Sequence, residues 1–117
     1  MTSEIPQGTM FIKKPYEFES NPTARVFVKT NEFNAYGKVY SRFVDNKALI
    51  IFSVFERQPS WTDELNLSDT YYNQQVEKGE FIPIDDLNKV EGICKARGFN
   101  PPPPVDLDAE FLRFRTK

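Results

Sequence analysis

Hydrophobic and polar positions alternate most clearly between Ala24 and Phe33. There Val26, Val28 and Thr30 interleave with Arg25, Phe27 and Lys29, the two-residue period of a half-buried strand. A shorter candidate strand, Thr9 to Lys14, precedes it across a loop, Pro15 to Thr23, marked by two prolines and a Ser-Asn pair. Asn34 to Gly37 reads as a turn, because Gly37 can take positive φ. Lys38 to Val44 then forms the next strand, and Asp45-Asn46-Lys47 a tight reversal. Ala48 to Arg57 is apolar at nearly every position, which predicts a central strand covered on both faces. These segments predict a meander of at least three antiparallel strands.

The second half is less regular. Gln58 to Ser68 opens with Pro59 and Ser60 and has no clear period; Trp61 is placed in a loop over Gln58 to Leu67. Asp69 to Lys78 predicts a short helix capped by Ser68 and ended by Gly79, although Tyr71 and Tyr72 would equally suit a strand. Glu80 to Ile84 predicts a short strand that Pro83 confines to an edge. Asp85 to Arg97 is the clearest helix: Leu87, Val90, Ile93 and Cys94 share one face, acids open it, and Gly98 stops it. Pro101 to Pro104 predicts a stiff polyproline spacer, and Val105 to Arg115 an extended segment with Leu112 and Phe114 on one side. The expected fold is α+β: an antiparallel β-meander of about four strands packed on one amphipathic helix, with an extended C-terminal segment. It forms one domain, with a globular core over residues 9–100, the spacer at 101–104 and the tail at 105–117.

Composition adds one oddity. In 117 residues there are 11 Phe and 5 Tyr, more large rings than a small core needs, so some are expected on a contact surface. Net charge is −2, divided as +2 over residues 1–58 and −4 over residues 59–117. Met1 to Gly8 has no basic, then apolar, secretory pattern. The longest apolar run, Ala48 to Phe55, is far below the ~20 residues of a membrane span. A single cysteine fits a reducing compartment, with the cytoplasm as default.

Catalytic chemistry finds little to work with. The chain has no histidine, the usual general base and commonest zinc ligand. Cys94, on the apolar side of its helix, reads as core filling. Asp106 and Asp108 supply too few oxygens to hold a divalent cation alone. The five glycines are scattered and form no phosphate-cradling loop. The expectation is a binding protein without metal or cofactor, not an enzyme.

If Val26, Val28, Val39, Ser41 and Phe43 face inward, then Arg25, Phe27, Lys29, Lys38, Tyr40 and Arg42 face outward together. Rings flanked by cations suit single-stranded nucleic acid, whose bases stack on the rings while the cations follow the phosphates. Ordinary solvated residues on an open sheet would give the same pattern. From Ala24 to Arg97, this outward face, followed by Phe81-Ile82-Pro83-Ile84 and a helix carrying Leu87 and Val90, resembles the ββββα plan of Pur-alpha-like single-strand-binding modules. That resemblance implies nucleic acid on the sheet face opposite the helix, and a possible homodimer.

The alternative is a protein-interaction module, an adaptor or inhibitor. Burial is the ordinary setting of a tryptophan, but if Trp61, beside Asp63 and Glu64, is exposed, it would form with Tyr71 and Tyr72 an acidic-aromatic hot spot. A small-ligand barrel would fit the aromatic content but has no polar cluster to orient a ligand.

Overall fold

Every strand of the single sheet pairs antiparallel, in the order β4-β3-β2-β1-β5. The computed structural model describes residues 2–16, 18 and 20–115. Its strands are β1 (Met10–Lys13), β2 (Arg25–Ala35), β3 (Lys38–Asp45), β4 (Glu64–Ser68) and β5 (Phe81–Ile84). The helices are α1 (Asn46–Phe55), α2 (Asp69–Glu77), α3 (Val90–Ala96) and α4 (Leu107–Arg115), with 3-10 turns at Trp61–Asp63 and Leu87–Lys89. The α+β class and the sheet-on-helix arrangement stand as expected. Among the described residues, no helix is long and apolar enough to cross a membrane.

The β2–β3 hairpin closes through Tyr36 and Gly37, at φ 52° and 74°. A two-residue reversal of this hand matches the strand twist, and Gly37 adopts it without a Cβ penalty. This turn pairs Ala35 with Lys38 and Phe33 with Tyr40, and the register then shifts between Lys29 and Asn31. Below that bulge Lys29 faces Phe43 and Phe27 faces Asp45. One extra residue on β2 therefore changes which side chains share a side.

Both faces of the sheet are covered. On one, α3 lays Val90 and Cys94 over Ile12, Ala24 and Val26, with Ile82, Ile84, Ile93 and Phe99 around them. Cys94 is fully buried there, as its helical phase implied. Leu87 departs from its expected inward face, since it lies in the 3-10 turn and is exposed. The other face is an aromatic layer in which Phe11, Phe27, Phe43, Tyr72 and Phe81 pack with Ile5 and Leu67. Phe11 stacks on Phe81 at 4.2 Å between ring centroids and meets Phe43 edge-on at 5.0 Å. Helix α2 roofs this layer from above.

The N-terminal residues close its remaining side, through a buried charge. Lys29 is only 2% exposed, and its ammonium donates to the Ile5 carbonyl (2.6 Å) and to Glu32 (2.8 Å). Glu32 also accepts from the Ser3 N–H at 2.9 Å, and Asp69 accepts from the Glu4 N–H at 2.8 Å. A buried ammonium is tolerable only when so paired.

Two segments fold differently from expectation. Ala48 to Arg57 is not a strand: α1 begins at Asn46, with the Asp45 carboxylate accepting from the Lys47 N–H at 2.8 Å. A run apolar on all sides fits a buried strand or helix equally by periodicity, and here the cap decides. The third strand beside β3 is instead β4, hidden in the stretch read as a loop. Between Ala24 and Arg97 the elements therefore do not follow a ββββα order. Val105 to Arg115 is not extended either. Asp106 accepts from the N–H groups of Asp108 and Ala109 at 3.1 Å and starts α4, which packs on α1 through Phe55 and Phe111. The expected pairing of Leu112 with Phe114 falls on a side chain outside the described residues.

Truncating Phe11 to Ala removes the ring that touches four others. It is expected to cost about 3–5 kcal/mol of stability in urea denaturation. The Glu32 carboxyl is held below the usual carboxylate range by the Lys29 hydrogen bond and the Ser3 N–H. A depressed carboxylate contributes stability above its unfolded pKa and loses it as pH falls through the folded one. Melting temperature should therefore fall on acidification below the ordinary glutamate range, and Glu32→Gln should make that decline shallower.

Candidate functional site

The six residues of the expected basic-aromatic face do not form one surface. The turn alone would have placed Arg25, Phe27 and Lys29 with Lys38, Tyr40 and Arg42, but the bulge intervenes. Phe27 is 0% exposed in the aromatic layer and Lys29 is buried beside it. Tyr40 and Arg42 lie on the opposite side, where Tyr40 stacks on Phe33 at 5.7 Å. Val26 does face α3, as expected; Phe43 and Ser41 join the aromatic side instead.

Three of the four cations are also matched by carboxylates. Arg25 Nε donates to Asp45 at 2.8 Å, Lys29 pairs with Glu32, and Arg42 is held by Glu64. Only Lys38, at the exposed end of the hairpin, shows no ion pair among the described residues. Cations already engaged in this way offer phosphates little.

Trp61 has a different setting. It is 84% exposed, yet the turn that carries it is tightly tied. The Asp63 carboxylate accepts from both the N–H and the hydroxyl of Ser60, each at 3.0 Å. From beneath, Arg25 Nη2 donates to the Thr62 carbonyl at 3.1 Å and lies 3.6 Å from Asp63. The same guanidinium stacks over the buried Phe27 ring at 4.8 Å. The indole is thus presented to solvent by a turn anchored in the core. Arg25, placed in the sequence on a nucleic-acid face, is the anchor. A readable signal was present: Ser60-Trp-Thr-Asp63 has the Ser-x-x-acid spacing in which the two ends of a helical turn hydrogen-bond each other.

The other two members of the acidic-aromatic set part company with Trp61. Tyr72 is 8% exposed in the aromatic layer, and its burial pushes the phenol pKa up. Tyr71 is about half exposed, but the five residues of β4, roughly 17 Å of extended chain, separate its helix from the Trp61 turn. The acids Asp63 and Glu64 turn toward Arg25 and Arg42 and are not presented with the indole.

Tyr71 instead lines a cleft of about 450 Å³, floored by Leu65, Leu67 and Phe81. Its outer wall is Tyr16 and Phe18, stacked at 5.4 Å, with the Lys13 ammonium 4.3 Å from the Tyr16 ring. The sequence assigned this stretch to a loop on its prolines, and the Tyr-x-Phe spacing passed unread. Among the described residues, no group of three or more His, Cys, Asp or Glu side chains is placed to hold a metal ion. Compared with known proteins, the chain matches no family model, no curated protein and no solved structure.

Proposed function

We propose that this chain is a non-catalytic protein-docking module, with Trp61 as the anchor that a partner protein buries. The observation that carries this reading is a large indole held 84% exposed on a hydrogen-bonded turn. Tryptophan is rarely left so open, because covering it returns a large apolar area from water. A mobile loop would lose that gain to the cost of ordering. Here Ser60, Asp63 and Arg25 have fixed the backbone in advance, which is the condition under which a single side chain dominates an interface.

The nucleic-acid reading has less support. Its rings and cations lie on two sides of the sheet, and most of the cations already face carboxylates. The overall charge of −2 also gives phosphates no general attraction.

Trp61 is the only tryptophan, so its fluorescence reports directly on this site. In the isolated chain its emission should be that of a hydrated indole, freely quenched by iodide. A partner recovered by affinity capture and purified should shift the emission to the blue and protect it from iodide. Trp61→Ala should weaken that partner by roughly 2–4 kcal/mol, about 30- to 1000-fold, while changing unfolding free energy by no more than about 0.5 kcal/mol. A purified partner that binds the variant as tightly as the parent would overturn the proposal. Oligonucleotide binding that weakens steeply with salt and is indifferent to Trp61 would favour the nucleic-acid reading instead.

A further inference from the structure

Beside the Trp61 turn lies a cleft of about 340 Å³, between the N-terminal turn of α1, the segment after α1, Pro102–Pro103 and α4. Its floor and walls include Ala24, Ala48, Ile51 and Pro59, and charged side chains ring them. These charges sort into two groups. Arg25 is paired with Asp45 at 2.8 Å and lies 3.6 Å from Asp63, as described above. Across the cleft, Lys47, Arg57 and Arg113 all converge on one carboxylate, Glu110, which is 5% exposed.

The three contacts are unequal. Arg113 holds Glu110 Oε1 at 2.8 Å, a normal charge-assisted hydrogen bond. Arg57 Nη1 donates a long hydrogen bond to Glu110 Oε2 at 3.5 Å, and Lys47 stands off at 3.6 Å. One carboxylate is shared by three cations, so positive charge is in excess within this group. Lys47 sits in the first turn of α1, where the Asp45 carboxylate caps the helix by accepting from the Lys47 N–H and is also held by Arg25. With Asp45, Asp63 and Glu110 set against Arg25, Lys47, Arg57 and Arg113, the cleft keeps an excess of one positive charge in a concave, partly apolar space, where it is screened less than on open surface.

We propose that this cleft is a binding site for a small organic oxyanion, a phosphate or carboxylate group carried on a compact apolar body. The oxyanion bridges Lys47 and Arg57, with the guanidinium offering its unused N–H donors. The body rests against Ala48, Ile51 and Pro59. The site is carried by its own charge arrangement and cavity, and stands whether or not Trp61 docks a protein.

The test is a titration of the isotope-labelled full chain, followed by amide chemical shifts, with four probes: phenyl phosphate, phenylacetate, inorganic phosphate and benzyl alcohol. Phenyl phosphate or phenylacetate should bind saturably, with shifts centred on residues 47–51 and 57–60. The stronger of the two identifies the head group. Benzyl alcohol should bind at least roughly tenfold more weakly, and inorganic phosphate should fall below phenyl phosphate for want of the apolar body. Lys47→Ala combined with Arg57→Ala should reduce the affinity by roughly tenfold or more. Arg57→Gln alone, at a half-exposed position after α1, should give a smaller loss and serves if the double variant unfolds. Unsaturable shifts scattered over surface lysines, equal binding of benzyl alcohol, or unchanged binding in Arg57→Gln would each overturn the proposal.

Discussion

The fold depends on one packing constraint: a five-stranded sheet whose two faces must both be covered by very short elements. On the aromatic side the solution is ring size. Phe11, at the centre of β1 and fully buried, touches Phe27, Phe43, Tyr72 and Phe81, so four strands and a nine-residue helix meet on one side chain. Few other residues fill so much volume per position. Phe11, Phe27, Phe43 and Phe81 are buried in this layer, while Phe18, Phe33, Phe52 and Phe111 reach the surface.

Covering the aromatic face to its edge requires the N-terminal segment, and there polar chemistry takes over from apolar packing. Lys29 points up from β2 into the layer and is satisfied by the Ile5 carbonyl and Glu32, while Ser41 meets the Ser3 hydroxyl at 2.9 Å. The charge that looked like part of a solvent face is a clasp holding the chain's first residues over the sheet. Arg25 plays the related part at the other end, joining Asp45, the Thr62 carbonyl and the ring of Phe27. Two of the residues that suggested polyanion binding are therefore structural ties. Their effect on function is indirect, through the surfaces they hold in place.

Much of this was legible beforehand. The hairpin over Arg25 to Val44, the Ser68 cap with the Gly79 stop, the strand at Phe81 and the helix carrying Val90 and Cys94 all follow from local chemistry that the structure keeps. The failures have specific causes. The bulge between Lys29 and Asn31 has no sequence mark, since neither glycine nor proline stands there, and with a side-chain period of two a single residue transfers half a strand to the other face. The apolar run of α1 from Ala48 to Phe55, broken only by Ser53, gave periodicity little to measure. In α4, Asp106, Asp108 and Glu110 at the start and Arg113 and Arg115 at the end did carry a helix signature, which the preceding prolines and an i, i+2 apolar pair obscured. Trp61 was identified from its residue type, but its exposure could be known only once Ser60, Asp63 and Arg25 were seen to fix the turn.

Cys94 has a consequence of a different kind. It is the only sulfhydryl in the chain, it is sealed beneath α3, and burial raises its pKa, so the nucleophilic thiolate is scarce while the helix stays down. Alkylation can proceed only in molecules where that helix has lifted from the sheet. Its rate is a built-in clock for local opening of one layer, readable in the unmodified chain without an introduced label.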